Sequence, residues 1–130
     1  MSAASDYLEL KLLDHSLGTA AYTAPTNVYV GLHTSSPADD ASGTGEVSGN
    51  GYARKEATFA AASAGEASTS ATITFDAASG GNWGTFSHIG IYVNSTGGNL
   101  LFHGAVTTSK TIEDGDTFQI SSGNLTISLD

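Results

Sequence analysis

The sequence predicts a mainly β fold, an antiparallel β-sandwich or jelly-roll-like barrel with one N-terminal α-helix. Three observations carry this reading. From residue 27 onward apolar and polar residues alternate over short runs, the period of a strand with one buried side. Clusters of Gly, Asn, Asp and Ser punctuate those runs at roughly the 8–12-residue spacing of sandwiches and barrels. Only the N-terminal stretch carries a helical period instead. With 130 residues and no linker, the chain is expected to be a single domain over 1–130, with the helix at about 4–17 and the sandwich at about 27–130.

The helix rests on Ala3, Tyr7, Leu10, Leu13 or Asp14, and Leu17, which share one face at 3.6-residue spacing, with Leu8 and Leu12 widening the stripe. Ser5 or Asp6 can cap its start, Glu9 follows Asp6 at capping-box spacing, and Gly18 can end it. Such a face must dock, either on the chain's own core or, as an arm, on a neighbouring protein. That makes Tyr7 and Leu10 interface candidates. Val28, Val30 and Leu32 then alternate with Tyr29, Gly31 and His33, between Pro25 and Pro37. Residues 35–51 read as a long surface loop rich in turn formers. Alternation resumes over Tyr52–Phe59, although Lys55 falls on the side of Ala57 and Phe59.

After the low-complexity run 60–70, Ala71, Ile73 and Phe75 mark a short strand, and a turn-rich stretch follows. Phe86–Val93, with Ile89, Ile91 and Val93 inward, and Leu100–Val106 form the best hairpin, joined by Asn94-Ser95-Thr96-Gly97-Gly98-Asn99. Ile112, the acidic turn at Glu113, Asp114, Gly115 and Asp116, and a second hairpin of Phe118 and Ile120 with Leu125, Ile127 and Leu129 complete about seven strands.

Composition excludes several functions. Four Lys+Arg against 13 Asp+Glu leave a net charge of -9, so no nucleic-acid partner is expected, and no anionic membrane surface either. Zero Cys removes disulfides, thiolate zinc sites and a cysteine nucleophile. The N-terminus lacks the pattern of a signal peptide, so the protein is expected to be made and kept in the cytosol, and the two sequons at Asn94 and Asn124 carry no meaning there.

The chemistry-bearing residues do not form a site. His15, His33, His88 and His103 lack metal-ligand spacing, and the last three fall opposite the buried aliphatics of their strands, where surface or interface hydrogen bonding is expected. No G-x-S-x-G elbow singles out a serine. Asp39, Asp40, Glu113, Asp114 and Asp116 sit in predicted turns, with a loose Ca²⁺ site as the alternative. The glycines at 43, 45, 49 and 51 match no phosphate-binding spacing. No catalytic, cofactor-binding or metal residue is therefore assigned, and no enzyme activity. Arg54 can pair with a carboxylate, at a subunit interface or on the surface. Trp83, in a small-residue loop, is read as a plug over the core or an interface anchor. Tyr52 joins these two as an interface candidate, and Trp83, Tyr52 and Tyr92 would make a sugar platform if they shared an exposed face.

Three stretches carry a family resemblance: Val28-Tyr29-Val30-Gly31-Leu32-His33-Thr34 with Ser36-Pro37, Glu46-Val47-Ser48-Gly49-Asn50-Gly51-Tyr52-Ala53-Arg54, and Trp83-Gly84 through Ile89-Gly90-Ile91-Tyr92 to Gly97-Gly98-Asn99-Leu100-Leu101-Phe102-His103-Gly104. Nearly the whole chain resembles a family of small virion proteins of tailed bacteriophages, and Ile89–Leu101 is similar to the strand-turn-strand of tail-collar fibre domains. The resemblance implies a non-enzymatic structural part of the virion whose partners are other virion proteins, the major capsid protein or tail proteins. A compact module without a shaft favours a homotrimeric capsid decoration (cement) protein, gripping the head shell through its N-terminal segment or the 35–51 loop. A tail, baseplate or fibre-base subunit is the alternative, and a carbohydrate-binding adhesin a more distant one.

Overall fold

A computed structural model of the protein describes residues 3–38 and 44–129. A two-residue strand β1 (Ala3–Ala4) leads into α1 (Asp6–Ser16). The strands β2 (Val28–His33), β3 (Lys55–Ala57), β4 (Glu66–Ser68), β5 (Ile73–Thr74), β6 (Gly84–Tyr92), β7 (Leu100–Ile112), β8 (Gln119–Ile120) and β9 (Thr126–Ser128) follow. Every pairing between them is antiparallel. A five-stranded sheet has the order β1-β7-β6-β2-β3, and β4-β9 and β5-β8 form two short ribbons.

Alternation in β2 and β6 decides which face is buried. The register sets Val30 against Ile91 and Leu32 against Ile89, so the inward aliphatics of adjacent strands meet on one side. Ile73, Phe75 and Ile120 of the ribbons complete a single core with Val30, Leu32, Phe86 and Ile91. Segment 55–60 serves both layers. β3 pairs with β2, and beyond it the Ala60 amide donates to the Ser68 carbonyl and the Ser70 amide to the Thr58 carbonyl, at 2.9 and 2.8 Å. The opposite flank has no such join. Among the described residues no ladder links β7 to β8 or β9, and a cavity of about 500 Å³ opens between Val106 and Phe118.

The helix is shorter and turned differently from the expectation. Ser5 is the N-cap, its hydroxyl accepting from the Leu8 amide, so Glu9 stands one residue too late for a capping box. The C-terminus closes as the sequence predicts: Gly18 takes φ +79°, and the Gly18 and Thr19 amides donate back to the carbonyls of His15 and Asp14. Leu8, 4 % exposed, is the residue that docks, whereas Leu10, Leu13 and Leu17 of the expected buried stripe are 65, 56 and 77 % exposed. The cause is the entry to the helix. β1 pairs with β7 and the Ser5 hydroxyl donates to the Leu100 carbonyl, which fixes the helix's rotation with Leu8 inward.

Five further expectations are corrected. The strand over Tyr52–Phe59 contracts to Lys55–Ala57 because residues 49–52 form a turn, with the Tyr52 amide on the Gly49 carbonyl. Lys55 does lie on the side of Ala57, and satisfies its charge at the rim with Asp76, 2.9 Å away. Residues 118–129 are not a mutually paired hairpin: β8 pairs with β5 and β9 with β4, so both follow the single stretch 66–74. That stretch includes β4, inside the run read as low complexity. β7 extends beyond Val106 to Ile112, its register with β6 broken opposite Ser87, and β6 ends at Tyr92 so that Val93 falls outside it.

Replacing Ile91, 3 % exposed, with Ala should cost about 2–5 kcal/mol. Thermal unfolding followed through Trp83, the single tryptophan, measures it, and an unchanged melting temperature would refute the face assignment.

Candidate functional site

The most organised polar cluster lies on the side of the five-stranded sheet away from the core, over two glycines. Gly31 of β2 pairs directly with Gly90 of β6. Neither tolerates a methyl group: a Cβ on Gly31 would stand 2.7 Å from the Glu46 Oε2 and 3.0 Å from the Tyr92 ring, and one on Gly90 only 2.9 Å from both that ring and Leu100. The bare backbone leaves room for the Tyr92 ring, whose Cε2 edge comes close to both glycines. The Arg54 guanidinium covers a face of that ring, 3.5 Å from its centroid, a cation–π contact shielded from water.

Arg54 is then held at its edges. Its Nε and one terminal nitrogen donate to the two carboxylate oxygens of Glu46, both at 2.8 Å, the planar two-point pairing that lysine cannot make. Its other terminal nitrogen donates to the carbonyls of Asn94 and Gly97, at 2.9 and 2.7 Å, in the β6–β7 turn. The Tyr52 hydroxyl donates to Glu46 at 2.7 Å and accepts from the Leu32 amide at 2.9 Å. One ion pair thus joins the end of the long loop, β2, the segment before β3 and the β6–β7 turn.

His33 lies beneath. It is 0 % exposed, which corrects the expectation of a surface or interface histidine: its face is opposite the core but is covered by Tyr92 and residues 44–46. Its Nδ1 is 2.9 Å from the Thr44 carbonyl, which only accepts, so Nδ1 carries the proton and Nε2 accepts from the Tyr92 hydroxyl at 2.8 Å. Burial lowers the His33 pKa, favouring this neutral form against the smaller pull of the Thr44 bond and Glu46. Burial alone would raise the Glu46 carboxyl, but the bonds from Arg54 and Tyr52 outweigh it and hold it below its ordinary value. Burial pushes the Tyr92 phenol up to about 12, with Glu46 adding to the effect, and burial with Glu46 raises Tyr52 as well. Arg54, which burial alone would lower, is raised by Glu46.

This is the chemistry of a clamp. The phenols are held protonated, the ion pair is matched, and no buried polar side-chain atom among the described residues lacks a partner. Nor do His, Asp and Glu gather into a metal-binding group there. His88 meets the Ser87 hydroxyl at 2.8 Å, and His15 accepts the Tyr22 amide at 3.1 Å. Glu113 and Asp116 close their own turn, the Glu113 amide donating to the Asp116 carboxylate, while Asp39, Asp40 and Gly43 lie outside the described residues. Trp83 is 7 % exposed, its ring edge-on to Tyr52 at 5.4 Å and its indole N–H donating to the Asn50 carbonyl at 2.9 Å. Trp83 belongs to the core and Tyr92 to the opposite face, so with Tyr52 they form no shared sugar platform. Tyr7 is half-buried and Leu10 exposed on α1. The Glu46 partnership was not foreseen, although a lone arginine eight residues from a glutamate across a glycine-rich turn was a usable signal.

The stretches carrying the clamp are those that carry the family resemblance, and a family model described as podophage GP4 fiber I protein gp80 matches residues 3–128. The chain belongs to this podophage fiber protein family. No curated protein matches it. Membership makes it a structural protein of a bacteriophage virion, of the fibre kind. The matched region takes in the helix and every strand among the described residues, not the clamp alone.

Two measurements test the clamp. Arg54→Ala should cost about 3–5 kcal/mol of folding stability, since it strands Glu46 beside the sheet, and Arg54→Lys should recover only a minor part; full recovery by lysine would remove the two-point pairing from the account. For His33 the folded pKa lies below the unfolded value near 6.5. Its contribution is therefore complete above about pH 6.5 and lost as pH falls toward the folded pKa. The melting-temperature gap between the natural protein and His33→Gln should narrow from pH 7.5 to pH 5, and a constant gap would count against a neutral buried His33.

Proposed function

We propose that the protein is a structural subunit of the phage's tail-fibre apparatus, assembling as a homotrimer at the fibre's base and contacting other tail proteins, and not a decoration of the head shell. The observation that carries this reading is the family match over residues 3–128 to a fiber protein. The surface supports it. Leu10 and Leu13 of α1 and Leu17 at its C-cap stand exposed within one narrow stripe, at the i, i+3, i+7 spacing of helix-borne contacts, and exposed apolar stripes of this kind mark association surfaces. Tyr7 and Leu10 remain interface candidates on that helix. Tyr52, Arg54 and Trp83 are engaged inside the chain, and their part in assembly is to hold the module rigid.

Cryo-EM of intact particles, with the purified protein's structure fitted to the map, tests the reading together with its sedimentation mass. Density confined to the tail vertex and a trimer mass are expected; density repeated over the icosahedral shell would replace this reading with the decoration one.

A further inference from the structure

Two surfaces of the chain are left unfinished by its own folding. The first is the flank between β7 and β8, where the cleft of about 500 Å³ opens onto one side of the core. Phe102, Val106, Phe118, Leu125 and Ile127 line it and pack against the buried cluster, yet they are only half-buried. The second is the outer face of α1. Of the four large hydrophobic residues that stand exposed among the described residues, Leu10, Leu13 and Leu17 share this one stripe, and no residue of α1 lines the cleft of its own chain.

Charge makes the two surfaces complementary. Asp6 and Asp14 stand four residues before and after Leu10, and Glu9 stands four before Leu13, so three exposed carboxylates fringe the leucines. None of the three is in an ion pair among the described residues. The cleft has the opposite character: none of the chain's 13 Asp+Glu lines it, and its exposed rim carries Lys110, the hydroxyls of Thr107, Thr108 and Ser121, and the amide of Asn124. Each of these can donate, and a carboxylate only accepts. Arg54 and Lys55 are in ion pairs and Lys11 lies over the Tyr7 ring, which leaves Lys110 as the one cation with no such contact among the described residues.

We infer that α1 of one copy seats its leucine stripe in the β7–β8 cleft of a second copy. The leucines cover the half-buried side chains as an amphipathic helix covers an apolar groove, while Asp6, Glu9 and Asp14 meet Lys110 and the donors around it. Stripe and cleft are different surfaces, so the contact is heterologous, and a finite assembly built from it is a closed ring. The inference rests on the self-association proposed above and adds which surfaces meet, whatever the number of subunits.

The test uses the full chain, which has no cysteine of its own. Sedimentation equilibrium measures its self-association, and a double variant, Leu13→Cys with Ser121→Cys, is treated with a short bismaleimide. The double variant should link chain to chain into covalent oligomers, whereas either single variant should stay unlinked. Leu13→Ser and Lys110→Glu, both at exposed positions, should each raise the dissociation constant about tenfold or more with an unchanged melting temperature, which separates loss of the contact from loss of the fold. A chain that sediments only as a monomer would overturn this inference and the proposed assembly together. Self-association that persists without the cross-link, is indifferent to either substitution, or links Leu13→Cys chains to one another would overturn this inference alone.

Discussion

A pair of glycines, one on each of the two central strands, is the constraint on which the outer face of the sheet depends. With no side chains at Gly31 and Gly90, the Tyr92 ring can pack against the backbone of both strands. Arg54 covers a face of that ring, and its planar shape leaves its nitrogens to be satisfied around the perimeter. Each layer sets the position of the next. The cluster is held by shape and electrostatics together, on the side of the sheet away from the hydrophobic core.

This explains how a protein with so little positive charge manages its polar interior. Only four Lys+Arg are available against 13 Asp+Glu, and the single arginine is placed where it reaches three separate segments. The core does the complementary task, joining the central sheet to the two ribbons through Phe75, Phe86 and their aliphatic neighbours. Tyr52 belongs to both, with its ring beside Trp83 and Phe75 and its hydroxyl on Glu46. Core packing and clamp geometry are therefore coupled through one side chain.

Much of the fold was legible in the sequence wherever a period ran long enough. The alternation of Val28, Val30 and Leu32, and that of Ile89 and Ile91, placed the two central strands on the correct faces, and the Gly-rich run after Asn94 marked the β6–β7 hairpin. Local pattern failed where partners were distant. The helix's buried face was misread because its rotation is set by Ser5 against Leu100, 95 residues away. The short β4 escaped because Ala67 between Glu66 and Ser68 carries almost no periodic signal; its pairing with β9 makes it a strand. Alternation identified the outer side of β2 but not that the side was covered, so His33 was taken for a surface residue. Covering is a tertiary fact, supplied here by Tyr92 and residues 44–46.

The distance between Ser5 and Leu100 has a consequence for the order of events in the cell. A chain emerging from the ribosome presents its N-terminal segment first, yet β1 and the helix cap have nothing to attach to until β7 has been made. The clamp is non-local too, with His33 meeting Tyr92 across 59 residues and Arg54 meeting Gly97 across 43. Closure of such long loops precedes any energetic return. The first strand and the helix cap thus take their places only after β7 has been made.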